Sequence, residues 1–225
     1  MLRLISDFDG PIMDVSERYY QVYQFCLKNT QGDELVKQLS KAEFWEMKRS
    51  QVSEKQIALN SGLDEVQAQA FVLLRRQTVH TQPYFEYDQL LPGAVDVLTK
   101  IQQAGVDLAV MTMRRVRELD YALKRYDLGR FFPEYRRYCL SNDYVKTRDV
   151  DDKPLLMERA LSELPPVDDT WMVGDTEADI VSAKKHGIKV IAVESGIRSR
   201  QQLELYQPNF ILEDLSAAVN FLLGK

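Results

Sequence analysis

The segment Leu4-Ile5-Ser6-Asp7-Phe8-Asp9-Gly10-Pro11 constrains this chain more than any other. Its apolar approach reads as a buried strand that Gly10-Pro11 brings to an end. Asp7 and Asp9 stand two residues apart, so in extended backbone their side chains share one side. Two carboxylates at the carboxyl end of a buried strand are costly unless a cation or a proton shares the place. Open α/β sheets bind their ligands at such strand ends. The stretch therefore predicts an active site built around a divalent metal.

The remainder supplies the parts such a site needs. Residues 14–80 carry a helical pattern throughout, with helices expected over 16–28, 34–39, 42–48, 53–60 and 64–79. Helices with no strands between them imply a separate bundle, so residues 14–88 are expected to form an inserted all-helical cap domain. From Gln89 onward, helix and strand alternate. Strands are expected over 106–112, 137–140, 170–173, 189–193 and 210–212. Helices are expected over 91–103, 114–126, 154–164, 177–186 and 215–223. Repeated βα units predict a doubly wound, Rossmann-like parallel sheet, and hence an α/β core domain made of residues 1–13 and 89–225.

Composition narrows the partners. With 45% apolar and 28% charged residues over 225 positions, this is ordinary globular composition. A formal net charge of -5 gives no electrostatic reason to expect nucleic acid or an anionic membrane. The basic-leaning stretch 114–137 is expected to be a solvated face. No apolar run is long enough to span a bilayer, and no signal peptide is visible. Cys26 and Cys139 sit outside any metal-ligand spacing, and His80 and His186 lack partners at ligand spacing. Buried, reduced thiols in a cytoplasmic protein are the expectation.

The polar groups fall at corresponding ends of these elements: Asp7 and Asp9 after the first strand, Thr112 at the end of the second, Asp175 and Asp179 after the fourth, and Lys153 at a helix start. In a doubly wound sheet such ends converge on one crevice. Carboxylates with a backbone carbonyl and water suit Mg2+, a hard cation. A lysine and a hydroxyl beside them suit an oxyanion such as a phosphoryl group.

Taken in order, Asp7-Phe8-Asp9-Gly10, a strand ending in Thr112, Lys153-Pro154 and Gly174-Asp175-Thr176-Glu177-Ala178-Asp179 resemble the motifs of the haloacid dehalogenase-like (HAD) superfamily. The resemblance covers nearly the whole chain. The helical insert is similar to that superfamily's C1 cap, and Leu91-Pro92-Gly93 is similar to its phosphoglycolate phosphatase-like members. Pro11 and Met113-Arg114-Arg115 depart from the commoner residues without removing a catalytic group.

The resemblance implies that Asp7 is the nucleophile and Asp9 the general acid and base. It implies that Mg2+ is held by Asp7, the Asp9 backbone carbonyl, Asp175 and Asp179, and that Thr112, Met113 and Lys153 contact the substrate. In the cap, Arg18, Lys48 and Arg49 are candidates to reach a substrate anion on closure, against the plainer reading that Lys48 and Arg49 are solvated surface charge. The implied activity is a magnesium-dependent phosphatase acting on a small phosphorylated metabolite, phosphoglycolate- or sugar-phosphate-like, through an aspartyl-phosphate. A phosphomutase of the β-phosphoglucomutase kind shares every core residue and is distinguished by transfer to a sugar phosphate instead of water. A phospho-ligand binding protein that kept the fold without turnover is the rival from another class. Monomer and homodimer both remain open.

Overall fold

The computed structural model describes residues 1–32 and 36–224, which form two compact units: Asp14–Gln89, and Met1–Met13 with Leu90–Lys225. The first is helical: α1 (Ser16–Thr30), α2 (Lys41–Arg49), α3 (Glu54–Asn60), α4 (Glu65–Thr78) and the short α5 (Gln82–Phe85). Its core gathers Val22, Tyr23, Cys26, Phe44, Ile57, Ala68 and Phe71, and the Tyr23 and Phe44 rings stack at 4.8 Å. Ser40 and Asp64 open α2 and α4 with reciprocal caps. Asp64 accepts from the backbone N–H groups of Val66 and Gln67, each at 2.8 Å, and Gln67 returns to the Asp64 N–H.

The helix expected over 34–39 does not form where the chain is described, and residues 34 and 35 lie outside the described residues. Residues 36–39 have no regular secondary structure: tyrosine hydroxyls take both backbone groups of Leu39, and the Lys37 N–H donates to the Ser61 carbonyl. Leu39 N–H donates to Tyr23 Oη at 2.9 Å, and Tyr20 Oη donates to the Leu39 carbonyl at 3.0 Å.

The second unit is a parallel α/β sheet. Its strands are β1 (Leu2–Ser6), β4 (Asp107–Arg115), β5 (Arg137–Leu140), β6 (Asp169–Gly174), β7 (Lys189–Val193) and β8 (Phe210–Leu212). The two-residue strands β2 (Met13–Asp14) and β3 (Gln89–Leu90) form a separate ribbon. The sheet order is β5-β4-β1-β6-β7-β8, with each neighbouring pair parallel. The order reverses around β1, and that is the switch point at which doubly wound sheets bind ligands. The connecting helices are α6 (Ala94–Gln103), α7 (Val116–Arg125), α8 (Asp149–Glu163), α9 (Glu177–Lys185), α10 (Arg200–Glu204) and α11 (Leu215–Leu222). Their apolar faces bury Ile5, Met111, Met157, Met172, Ile180 and Val190 against the sheet.

Two boundaries differ from expectation, and both bear on the site. Strand β4 runs on through Arg115, where a helix was expected from residue 114, and a register irregularity against β5 lies between Met111 and Arg115. Helix α8 starts at Asp149, ahead of Pro154, so Lys153 lies inside a helix. Acidic Asp149, Asp151 and Asp152 suit the positive end of its dipole. Buried Asp152 accepts from Thr147 N–H at 2.8 Å, Thr147 Oγ1 at 2.8 Å and Tyr144 Oη at 3.0 Å, tying the preceding loop to this first turn. Pro154, already past that turn, forfeits one i→i−4 hydrogen bond.

At the amino ends of β1 and β4, buried Arg3 lies 2.7 Å from Asp107, whose other oxygen takes Arg136 at 3.0 Å. Both cysteines are buried, and burial pushes the Cys26 thiol up to about 12. Among the described residues no helix is long and apolar enough to cross a membrane.

Candidate active site

Strand β1 delivers Asp7 to the carboxyl edge of the sheet, where its N–H donates to the Val173 carbonyl of β6 at 2.8 Å. Beyond it the chain turns sharply. The Phe8 carbonyl accepts from Ile12 and Met13, and Gly10 N–H donates to the Met13 carbonyl at 2.9 Å. Pro11 fits this turn because none of those bonds needs a donor from it. Gly10 is required on two counts: its φ is 91°, and a Cβ there would stand 2.2 Å from the Asp175 Cγ.

Three buried carboxylates meet at this edge. Asp7, Asp175 and Asp179 each present an oxygen, all within 4.8 Å of one another. Asp179 is held by α9, whose N-cap Thr176 donates to Asp179 Oδ2 through its backbone N–H at 3.0 Å and its hydroxyl at 2.7 Å. Asp175 accepts from the Ile197 N–H at 2.6 Å, a donor from the loop after β7. That loop is moored by the Ser195 hydroxyl, which donates to the Gly10 carbonyl at 2.8 Å, and by Arg198 on Glu177 at 2.7 Å. Lys153 Nζ, on a side chain 1% exposed, bridges Asp7 Oδ2 at 2.7 Å and Asp179 Oδ1 at 2.5 Å.

The electrostatics of this cluster favour a proton or a further cation shared among the carboxylates. Burial drives the Asp7 carboxyl well above its ordinary range. Lys153 opposes the rise, while Asp179 and Asp175 add to it. Burial likewise raises Asp175 to about 7, reinforced by Asp179 and offset in part by the Ile197 N–H. For Lys153, burial alone would lower the ammonium, but Asp179 and Asp7 outweigh it and hold it charged. With all three carboxylates ionised, one lysine leaves net negative charge in a low-dielectric pocket, which a divalent cation can offset. Hard oxygen donors in this cluster, with Gly10 leaving space against Asp175, fit a small divalent cation.

Of the remaining residues singled out from the sequence, Thr112 is buried near the end of β4, and its hydroxyl accepts the Arg114 N–H at 3.2 Å. Asp9 lies one turn from the cluster and binds Arg114 side chain to side chain. Met113 is half-buried and packs against the apolar core of the sheet. Arg18, Lys48 and Arg49 belong to the helical unit. There Arg18 is fully buried on Asp88 at 2.8 Å, Lys48 pairs with Glu54, and Arg49 is half-buried at the end of α2.

Sequence reasoning passed over Arg114, the Ile197 N–H and Thr176. A signal for Arg114 existed, since it stands two residues after Thr112 and shares its side of an extended strand. Starting the helix at residue 114 concealed it. Nothing in the composition of 195–198 marks a backbone donor.

Comparison with known proteins identifies the family and the fold. The sequence pattern of the haloacid dehalogenase-like hydrolases matches residues 4–193. A phosphoglycolate phosphatase of Pseudomonas fluorescens is 24% identical over 158 residues, covering 70% of this chain and 56% of that protein. This chain thus matches little more than half of that relative's length. A provisionally named phosphatase from Clostridium difficile superposes with a TM-score of 0.75 at 19% identity, covering 98% of this chain and 97% of the other. A haloacid dehalogenase-like family hydrolase from Streptococcus pneumoniae gives a TM-score of 0.70 at 18% identity, covering 98% and 97%. At these identities the structural likeness speaks for the fold. With the family pattern running over most of its length, and its motifs meeting at the carboxyl edge of one parallel sheet, this chain belongs to the haloacid dehalogenase-like hydrolases.

Proposed function

We propose that this chain is a magnesium-dependent phosphatase that hydrolyses a small phosphorylated metabolite through an aspartyl-phosphate on Asp7. The observation that carries the reading is the convergence of Asp7, Asp175 and Asp179 with Lys153 held between two of them. The relatives named phosphoglycolate phosphatase support the same class of chemistry.

In this reading Asp7, Asp175 and Asp179, with the Asp9 backbone carbonyl, would hold Mg2+. When bound, the ion neutralises charge on both the attacking carboxylate and the phosphoryl oxygens. Asp7 attacks phosphorus, and the bond to the leaving oxygen breaks. Asp9 gives that oxygen its proton, then takes one from the water that attacks the aspartyl-phosphate, which frees the Asp7 carboxylate and inorganic phosphate. Lys153 keeps its proton throughout and holds the Asp7 carboxylate while offering charge to a phosphoryl oxygen. The Thr112 hydroxyl, buried at the end of β4, is the neutral donor for a second oxygen. The helical unit Asp14–Gln89 is read as the cap domain that selects the substrate.

The test is turnover of p-nitrophenyl phosphate. Activity is expected with Mg2+, lost on chelation and restored by adding the ion back. Asp7→Asn is expected to lose at least about four orders of magnitude, as removal of a covalent nucleophile does. Full activity in chelator, or in Asp7→Asn, would sink the reading.

A further inference from the structure

Arg114 makes the most specific contact near the site that the proposed chemistry does not use. Its Nε lies 2.9 Å from Asp9 Oδ1 and 3.2 Å from Oδ2, and its Nη2 lies 2.6 Å from Oδ1. The guanidinium is 2% exposed, whereas the Asp9 side chain is 27% exposed. Its face lies over the Phe8 ring at 5.2 Å, and its backbone N–H is tied to Thr112 Oγ1. The guanidinium is thus carried by strand β4, whose backbone Thr112 braces, and packed on an aromatic face, while Asp9 lies in the turn that follows β1.

We propose that Arg114 is a positioning residue that sets the orientation of the Asp9 carboxylate. A guanidinium fork matches the plane of a carboxylate, which a lysine cannot do. The fork reaches both oxygens, Oδ1 through Nε and Nη2 and Oδ2 through Nε, and so sets the plane of the carboxylate. The proton passed to the leaving oxygen departs from this carboxylate, and the proton taken from the attacking water arrives there. Without the fork, the Asp9 side chain samples its other rotamers and spends less time aligned for transfer.

The inference rests on the proposed role of Asp9, so its test separates the two. It uses a double-mutant cycle of Arg114→Gln and Asp9→Asn, with Arg114→Lys as a second variant, on an alkyl phosphate and on p-nitrophenyl phosphate. General acid–base catalysis is worth about 10²–10⁴-fold, and loss of alignment forfeits a part of it, so Arg114→Gln should lower kcat on the alkyl ester by about 10- to 100-fold. KM should stay within about threefold, because the fork touches Asp9 and not the substrate. The aryl ester, whose leaving group needs little protonation, should lose less than about threefold in kcat/KM, which reports transfer to Asp7 and not the hydrolysis of the aspartyl-phosphate common to both esters. In the Asp9→Asn background, Arg114→Gln should change nothing further. Arg114→Lys, which keeps the charge but not the fork, should fall between wild type and Arg114→Gln.

Equal losses of kcat/KM on both esters, additive losses in the cycle, or a raised KM at constant kcat would overturn the positioning role. If Arg114→Gln fails to fold, wild-type turnover by Arg114→Lys would overturn it as well. An inactive wild type would instead overturn the proposed function, and this inference with it.

Discussion

A methyl group at position 10 would meet the Asp175 carboxyl carbon at 2.2 Å, on backbone whose φ of 91° already disfavours a side chain. Gly10→Ala is therefore expected to cost about 1–3 kcal/mol of stability and to displace Asp175. Chemical denaturation and kcat should report both losses, and a variant as stable and active as wild type would contradict the geometry. The Asp175 carboxyl itself makes a pH prediction. Burial and Asp179 raise it to about 7 from an ordinary 3.8, so between those values the folded chain binds more protons than the unfolded one. Stability from this group is thus fully present at low pH and falls as pH rises through that window, by on the order of a few kcal/mol. Without metal, the melting temperature should decline less between pH 5 and pH 8 in Asp175→Asn than in wild type. An equal decline in both would refute the assignment. Asp7, Asp9, Thr112, Asp175 and Asp179 could be singled out from the sequence because their motifs follow buried strands, whereas Lys153, expected at a helix start, lies inside α8. Arg114 was missed because a helix was expected from residue 114, which hid its place beside Thr112 on the strand, and its partner Asp9 stands 105 positions away.

At the scale of elements, two side chains hold backbone and strand ends that propensity alone would not. Tyr23 Oη accepts the Leu39 N–H at 2.9 Å and pairs with Ser61 Oγ at 2.8 Å, fixing the stretch ahead of α2. Tyr23→Phe should leave that buried N–H without an acceptor and cost about 1–3 kcal/mol, seen as a lower denaturation midpoint at unchanged m-value. Asp107 serves two arginines at the amino ends of β1 and β4. Asp107→Ala should strand buried Arg3 and cost about 3–5 kcal/mol, and a loss below about 1 kcal/mol would show that water replaces the carboxylate. Periodicity located most elements because apolar faces repeat along them. It misjudged 36–39, where tyrosine hydroxyls from another helix take the Leu39 backbone groups, and the start of α8, where Asp152 binds the loop just ahead of it. It also ended β4 early, since Arg114 and Arg115 look like helix-face residues until Asp9 is seen beside them.

Over the whole molecule, the parallel sheet was legible because alternating buried strands and amphipathic helices leave few other topologies. The substrate was not legible, since nothing in a residue pattern encodes which small molecule fits a crevice. The account's central claim is that three distant carboxylates hold one cation and let one of them, Asp7, attack phosphorus. Borohydride reduction during turnover of a phosphoester, followed by peptide mass spectrometry, tests it most directly, because an acyl phosphate is reduced to homoserine. The account predicts homoserine at position 7, formed only when both Mg2+ and substrate are present. Turnover with position 7 unmodified, or modification at another carboxylate, would contradict it.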